Sequence, residues 1–184
     1  LRKFTVLFFS LFLLSAVSSA ADWSNTIAAV VLVGSLYTIE KNGALYRTDL
    51  STGKYVQIGK AEFGRTRMML AGPRNLFTIE TDGSLYRVSA TDGTWTRVGN
   101  AGDWKNTKAG AFAGTRLFTT ESSGVLYGTN PVSGAWAQVG KAEFDRTAVL
   151  FGTDDWLFSI ETDGSLYRIS PSNGTWSQLG KAGE

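Results

Sequence analysis

Leu76-Phe77-Thr78-Ile79-Glu80 occurs four times in this chain, with small changes and at nearly constant spacing. The other copies are Leu36-Tyr37-Thr38-Ile39-Glu40, Leu117-Phe118-Thr119-Thr120-Glu121 and Leu157-Phe158-Ser159-Ile160-Glu161. The first residues of successive copies lie 40, 41 and 40 positions apart. A repeat of about forty residues with turn signals between short apolar runs is typical of one blade of a β-propeller.

The copy that spans residues 60–99 shows how one repeat is built. Its four short apolar runs cover residues 67–71, 76–80, 84–89 and 94–98. Asp82-Gly83 and Asp92-Gly93 separate consecutive runs, and Asp-Gly between strand-like segments is a strong hairpin signal. The sequence therefore predicts an all-β protein, a β-propeller of four-stranded antiparallel blades with about 40 residues per blade.

Four such repeats follow one another, at approximately 21–60, 61–100, 101–141 and 142–184. A β-trefoil uses units of similar length but needs three of them, and a solenoid usually has shorter coils. The segment Lys181-Ala182-Gly183-Glu184 resembles the beginning of a further repeat. We therefore expect the four blades either to be part of a larger ring or to close a ring by self-association.

The link that precedes each repeat alternates between two kinds. The Trp links are Asp22-Trp23-Ser24-Asn25-Thr26 and Asp103-Trp104-Lys105-Asn106-Thr107, and the Phe links are Glu62-Phe63-Gly64-Arg65-Thr66 and Glu143-Phe144-Asp145-Arg146-Thr147. The alternation indicates that a pair of blades was the unit of duplication. A complete ring that keeps this pattern has an even number of blades.

The links supply the candidate ligand-binding residues. Aromatic faces stack on the apolar side of a sugar ring, while carboxylate, amide and guanidinium groups exchange hydrogen bonds with its hydroxyls. The predicted set is Asp22, Trp23, Asn25, Glu62, Phe63, Arg65, Asp103, Trp104, Asn106, Glu143, Phe144 and Arg146. The alternative is a structural role, in which the aromatic ring fills the gap between blades and the acid and threonine bond the loop backbone.

Two further positions recur in every repeat. A glutamate ends the second run, at Glu40, Glu80, Glu121 and Glu161, and an arginine follows it seven residues later in three repeats. We expect this glutamate to form an ion pair within its blade or to accept hydrogen bonds from the hairpin. An aromatic residue follows the third turn, at Tyr55, Trp95, Trp136 and Trp176, and is expected to pack between neighbouring blades.

The first twenty residues differ from the rest of the chain. Arg2 and Lys3 precede an apolar run from Phe4 to Val17, and the small residues Ser18-Ser19-Ala20 follow it. This order predicts a secretory signal peptide, residues 1–20, that is cleaved after Ala20. The run is shorter than the roughly twenty residues of a membrane span. We therefore expect a secreted, periplasmic or cell-surface protein without a membrane anchor after cleavage.

Composition narrows the function further. Residues 1–20 hold two of the eighteen Lys and Arg residues and none of the sixteen Asp and Glu residues. The remaining chain is therefore formally neutral and has no basic stripe for nucleic acid. The chain has no histidine and no cysteine, which excludes disulfides, Ser-His-Asp chemistry and the commonest zinc ligand. No metal or other cofactor is expected, and the repeats offer no single asymmetric site for catalysis.

The repeat core also resembles a known group of propellers. Leu-(Tyr/Phe)-Thr-Ile-Glu-x-(Asp/Asn)-Gly-x-Leu-Tyr, followed by Gly-(Thr/Ala)-Trp-x-x-(Val/Leu)-Gly, is similar to the blades of tachylectin-2-like and tectonin-type propellers. The resemblance covers essentially the whole chain after residue 20, and it implies a non-enzymatic lectin.

Three hypotheses for function remain open at this point. The first is a secreted, multivalent carbohydrate-binding protein, and the second is a secreted scaffold for protein–protein interaction. The third is a fragment of a propeller enzyme such as a lyase or glycosidase. The expected partners are glycans or a surface protein, together with a second copy of this chain where self-association closes the ring.

Overall fold

The computed structural model describes residues 23–183, which form four four-stranded antiparallel sheets arranged as a four-bladed β-propeller. The predicted fold class is therefore confirmed. The predicted signal peptide and Asp22 lie outside the described residues.

The strands follow chain order, four to a blade, after a short 3-10 helix at Trp23–Asn25. Blade 1 contains β1 (Thr26–Leu32), β2 (Ser35–Glu40), β3 (Leu45–Asp49) and β4 (Tyr55–Ile58); blade 2 contains β5 (Thr66–Ala71), β6 (Asn75–Glu80), β7 (Leu85–Ser89) and β8 (Trp95–Val98). Blade 3 contains β9 (Thr107–Ala113), β10 (Arg116–Glu121), β11 (Leu126–Thr129) and β12 (Trp136–Gln138); blade 4 contains β13 (Thr147–Gly152), β14 (Leu157–Glu161), β15 (Leu166–Ile169) and β16 (Trp176–Gly180). Hydrogen-bonded neighbours are consecutive in every sheet, so each blade is a meander.

The hydrophobic cores lie between blades rather than within them. Successive side chains of a strand point to opposite faces, so one blade contributes to two cores. In blade 2, Leu76 and Val88 belong to the core shared with blade 1, whereas Ile79 and Leu85 belong to the core shared with blade 3. A third core joins blades 3 and 4. The first strands of successive blades also lie against one another, β1 against β5, β5 against β9, and β9 against β13.

Each internal link is fixed to the blade before it. The aromatic rings of Phe63, Trp104 and Phe144 are buried in the three inter-blade cores. The backbone N–H of Trp104 donates to the Gly83 carbonyl at 3.0 Å, and the equivalent bonds run from Phe63 to Gly43 and from Phe144 to Gly124. The aromatic ring of the link therefore fills the gap between blades, as the structural alternative expected.

The glycine in the second turn of each blade serves both the turn and this junction. Gly83 has a φ of 81°, a left-handed conformation that L residues with a side chain rarely adopt. A Cβ at Gly83 would also lie 2.5 Å from the backbone nitrogen of Lys105 in the next link. A side chain at this position would therefore displace the link from its place.

Candidate ligand pockets

A β-bulge near the start of each blade brings a threonine and a glutamate together. In blade 2, the register shifts between Thr66 and Met68, so that Thr66 lies opposite Glu80. The Thr66 hydroxyl donates to the Glu80 carboxylate at 2.7 Å, and the same bond forms from Thr26 to Glu40, Thr107 to Glu121 and Thr147 to Glu161. Bulges commonly redirect a side chain in this way next to functional sites.

This threonine–glutamate pair lies beside a pocket in blades 2, 3 and 4, which we call the blade pockets. Each pocket is lined by residues of the preceding link, by the strand-end glutamate, by a tyrosine on the third strand and by a tryptophan on the fourth. The lining residues are Glu62, Phe63, Arg65, Glu80, Asp82, Tyr86 and Trp95 in blade 2; Asp103, Trp104, Asn106, Thr119, Glu121, Tyr127, Thr129 and Trp136 in blade 3; and Glu143, Phe144, Arg146, Ser159, Glu161, Asp163, Tyr167 and Trp176 in blade 4.

The blade pockets are small. Their volumes are about 130 Å³ in blade 2 and about 200 Å³ in blades 3 and 4. Sites for drug-sized ligands usually occupy roughly 300–1,000 Å³. Each blade pocket therefore suits one ring or one side chain rather than an extended ligand.

An exposed tryptophan forms one wall of every blade pocket. The indole rings of Trp95, Trp136 and Trp176 are about half exposed to solvent. Each ring meets the tyrosine of its own blade edge-on, with centroids 4.9 Å apart for Trp95 and Tyr86. The prediction that these tryptophans pack between neighbouring blades is therefore wrong, because strand pairing places them beside a tyrosine of the same sheet.

The pockets of blades 2 and 4, which follow Phe links, have their polar groups paired with one another. In blade 2 the indole N–H of Trp95 donates to Glu62 at 3.0 Å, and Arg65 forms a 3.6 Å ion pair with Asp82. In blade 4, Trp176 donates to Glu143 at 3.0 Å, and Arg146 pairs with Asp163 at 2.8 Å. The two pockets thus repeat the same geometry.

The pocket of blade 3, which follows a Trp link, has more unpaired polar groups. Asp103 accepts hydrogen bonds from the backbone and side chain of Asn100 rather than from an indole. The hydroxyls of Thr119 and Thr129 are buried and have no hydrogen-bond partner among the residues that the structure describes. This pocket therefore offers donors and acceptors that a bound polar molecule could satisfy.

Burial affects the charge of the strand-end glutamates. Desolvation raises the pKa of Glu80, although the hydrogen bond from Thr66 opposes the shift. Desolvation likewise raises the pKa of Glu121. By contrast, hydrogen bonds from the backbone and hydroxyl of Ser84 lower the pKa of the exposed Asp82. A blade pocket thus contains carboxylates in different environments.

The structure brings nine of the twelve predicted binding residues to the blade pockets. They are Glu62, Phe63, Arg65, Asp103, Trp104, Asn106, Glu143, Phe144 and Arg146. In blade 1, Trp23 is exposed and meets Tyr55 edge-on, with ring centroids 6.3 Å apart, and Asn25 ends the 3-10 helix. Because the link rings inside the cores are buried, they present little of their faces to a ligand.

Sequence reasoning missed the tyrosine and tryptophan walls of the pockets and the threonine that bonds the glutamate carboxylate. The predicted hydrogen bond from the hairpin does form, since the Glu80 carbonyl accepts from the Gly83 N–H at 2.9 Å, but the predicted ion pair does not form among the described residues. Within the described part of the chain, Glu80 and Arg87 form no ion pair, and the same holds for the equivalent glutamate–arginine pairs of blades 1 and 4. The glutamate is instead bonded to the link threonine. A signal for this bond was present, because threonine and glutamate lie 14 residues apart in all four repeats.

No protein-family model matches this sequence, and no curated protein shows significant similarity to it. Solved structures share the fold. The computationally designed protein Ika8 superposes with a TM-score of 0.61 at 15% identity, over 85% of this chain and 50% of Ika8. PorZ, an essential bacterial surface component of the type-IX secretion system of Porphyromonas gingivalis, gives 0.60 at 16% identity, over 86% of this chain and 21% of PorZ.

The designed protein Ika4 gives a TM-score of 0.58 at 14% identity, over 79% of this chain and 90% of Ika4. This chain thus spans half of Ika8 and about a fifth of PorZ. Similarity at these identities shows the propeller fold alone. No family match supports the resemblance to tachylectin-2-like or tectonin-type propellers.

No helix among the described residues 23–183 is long and apolar enough to cross a membrane. No group of three or more acidic side chains in residues 23–183 is arranged to hold a metal ion.

Proposed function

We propose that this chain is a secreted, non-enzymatic protein that binds carbohydrate in its blade pockets. The observation that carries the proposal is the recurrence, in three blades, of an exposed indole and a tyrosine beside carboxylate and amide or guanidinium groups. Aromatic rings offer a surface to the apolar face of a sugar, and the polar groups suit its hydroxyls. The volume of each pocket suits a single sugar ring.

The blade 3 pocket is the strongest of the three for a hydroxyl-rich ligand. Its buried Thr119 and Thr129 hydroxyls lack partners among the described residues, and an unsatisfied buried polar group costs about 1–3 kcal/mol. A sugar hydroxyl that reaches them recovers part of that cost. We therefore infer that this pocket binds first and that the pockets of blades 2 and 4 add weaker contacts.

The occurrence of similar pockets in three blades favours binding over catalysis. Glycoside hydrolysis needs two carboxyl groups with different tasks in one cleft. In blade 2 both glutamates are already engaged, Glu62 by the indole of Trp95 and Glu80 by Thr66, and blade 4 repeats the arrangement. Several similar weak sites gain strength through avidity on a surface that carries many copies of one glycan.

The test is a glycan array with the purified protein, produced from the full sequence in a secreting host. We expect binding to one glycan class, inhibition by its free sugar, and loss of most binding in the Trp136→Ala variant. Val132→Ala is the matched control, because Val132 is also exposed in blade 3 but lies outside the pocket. A folded protein that binds no glycan, or a Trp136→Ala variant that binds normally, would contradict the proposal.

A second candidate function is a protein-binding scaffold, and the pockets of blades 2 and 4 favour it. Their polar groups are already paired, so the surface they leave free is largely the indole and the tyrosine ring. Such a surface also suits an apolar or aromatic side chain of a peptide. A blank glycan array combined with peptide binding that depends on Trp95 and Trp176 would support this function instead.

The proposed location has its own test. N-terminal sequencing of the exported protein is expected to begin at Ala21, because the small residues before it fit a signal-peptidase site. A product that retains residues 1–20 and stays with the membrane fraction would contradict export in soluble form.

A further inference from the structure

Among the described residues 23–183, blade 4 has an apolar face that no other blade covers, whereas blades 1, 2 and 3 each have a neighbour on this side. Ile160 is 37% exposed, whereas Ile79 at the same position of blade 2 is 0% exposed. Leu179 is 52% exposed, whereas Val98 at the same position of blade 2 is 2% exposed. We call this face of blade 4 the seat, because its counterpart in blade 2 receives the link and first strand of blade 3.

Blade 1 carries the complementary surface. Trp23 is 50% exposed, whereas Trp104, its equivalent in the other Trp link, is 2% exposed in the core between blades 2 and 3. Val31 is also exposed, and its equivalent Phe112 packs against Phe77 of blade 2 with ring centroids 4.9 Å apart. The chain thus holds an unburied link at one end and an empty seat at the other.

The backbone at the turn glycine of the seat has the same conformation as at the junction of blades 2 and 3. At the junction of blades 2 and 3, the Gly83 carbonyl accepts from Trp104, and a Cβ on Gly83 would meet Lys105. Gly164 has the same left-handed conformation, and a Cβ there would meet no atom of the described residues within 4 Å. The space that a link fills beside Gly83 is therefore open beside Gly164.

The alternation of Trp and Phe links along the chain indicates which kind of link binds to the seat. Blade 2 follows a Phe link, and the link seated on it is a Trp link. Blade 4 also follows a Phe link, so continuation of the pattern calls for a Trp link, which is the kind that precedes blade 1. A junction between blade 4 of one copy and blade 1 of another is thus equivalent to the junction between blades 2 and 3.

We propose that the partner of this surface is a second copy of the same chain. The Trp link of each copy occupies the seat of the other, which forms two identical junctions and a closed ring of eight sheets. Head-to-tail contacts end in a ring when the rotation closes, so the assembly stops at two copies.

The proposed junction differs from the junction of blades 2 and 3 at one hydrogen-bonding residue. Arg67, which donates to the Trp104 and Thr107 carbonyls, has Ala148 as its counterpart in blade 4. The junction of blades 1 and 2, which receives a Phe link, forms with Ile27 at that position.

The proposal is tested by the mass of the purified protein in sedimentation equilibrium, measured over a wide concentration range. We expect the mass of two copies. Trp23→Ala and Leu179→Asp are each expected to raise the dissociation constant at least about tenfold, as the loss of a buried anchor does at protein interfaces. Val132→Asp is the control, because Val132 is exposed in blade 3 away from both ends.

Mixing the two variants sharpens this experiment. Trp23→Ala retains an intact seat and Leu179→Asp retains an intact Trp link, so the mixture is expected to form one of the two junctions and to associate more strongly than either variant alone. Circular dichroism checks that both variants fold, as expected for side chains that are exposed in the single chain. Ile160→Asp, which also alters the seat, replaces Leu179→Asp if that variant does not fold, and Val31→Asp, on the complementary surface of blade 1, replaces Trp23→Ala.

Three results would overturn the proposal. They are a monomer at every concentration, a dimer that both variants leave unchanged, and unlimited polymers in place of a two-copy ring. None of these results depends on glycan binding, because each blade pocket is formed by one blade and the link before it, away from the seat, and the array reports on the pockets separately.

Discussion

Blades 2 and 4 have similar sequences but different surroundings. Both contain Thr-Asp-Gly-Ser-Leu-Tyr-Arg, at residues 81–87 and 162–168, and both follow a Phe link. Ile79 is nevertheless fully buried, whereas Ile160 is partly exposed. The difference teaches that the core of this fold belongs to pairs of blades, so a side chain is buried only where a neighbour covers it.

The blade pockets do not share this dependence on a following neighbour. In blades 2 and 4 alike, the indole nitrogen lies 3.0 Å from a link carboxylate and an arginine pairs with the turn aspartate. A pocket is formed by one blade and the link before it. Binding sites can therefore be equivalent even where the inter-blade faces are not.

The largest expected effect is the difference in stability between Trp104→Ala and Trp23→Ala. Trp104→Ala leaves a cavity between blades 2 and 3, and we expect a loss of about 3–5 kcal/mol in the free energy of unfolding. Trp23→Ala in dilute protein is expected to cost less than about 1 kcal/mol, because the ring is half exposed. Urea unfolding followed by circular dichroism measures both. Equal losses would show that Trp23 is buried in solution.

The next largest effect is the difference in stability between Ile79→Ala and Ile160→Ala. Removing the Ile79 side chain to alanine is expected to cost about 2–5 kcal/mol, as for other fully buried isoleucines. Ile160→Ala is expected to cost clearly less in dilute protein, since solvent already reaches the side chain. A cost for Ile160→Ala that grows with protein concentration would place a second copy over the seat.

A smaller effect distinguishes backbone strain at the turn glycine from its contact with the next link. Gly83 and Gly164 both have a left-handed φ, 81° and 89°, so alanine at either position carries a similar strain of about 1–2 kcal/mol. Only Gly83→Ala also meets the next link, at 2.5 Å from the Lys105 nitrogen. We expect Gly83→Ala to be the more destabilising in thermal unfolding of dilute protein. Equal melting temperatures would mean that the link contact adds nothing beyond the strain.

The sequence predicted the blades because turns and strands are local features. Asp82-Gly83 marks a hairpin wherever it stands between strand-like runs, and the strands of blade 2 begin and end within one residue of the predicted runs. The link residues were predicted to form sites for a similar reason: their carboxylate, ring and amide or guanidinium group lie within four residues of one another.

The walls of the pockets could not be predicted in the same way. The ring of Trp95 meets Tyr86 because β7 pairs with β8, and the exposure of Trp95 depends on what the neighbouring blade leaves open. Thr66 reaches Glu80 only because a bulge shifts the register between two strands. Such contacts depend on pairing and packing, which a single repeat does not encode.

The smallest effect concerns the charge inside the blade pockets. Burial raises the pKa of Glu80, so the folded protein holds this proton more tightly than the unfolded chain does. The resulting stabilisation is complete below the unfolded pKa and is lost as the pH rises through the folded pKa. Glu80→Gln keeps an oxygen for the Thr66 hydroxyl and removes the buried charge. We therefore expect the melting temperature of Glu80→Gln to exceed that of the wild type at pH 7, with the difference shrinking towards pH 4.

Glu161→Gln is the comparison in blade 4, where the glutamate side chain is less buried and the gain in melting temperature is expected to be smaller. If Glu80→Gln is instead the less stable protein at pH 7, the charge-assisted bond from Thr66 outweighs the cost of burial, and the blade 2 pocket holds an ionised carboxylate ready to accept a ligand hydroxyl.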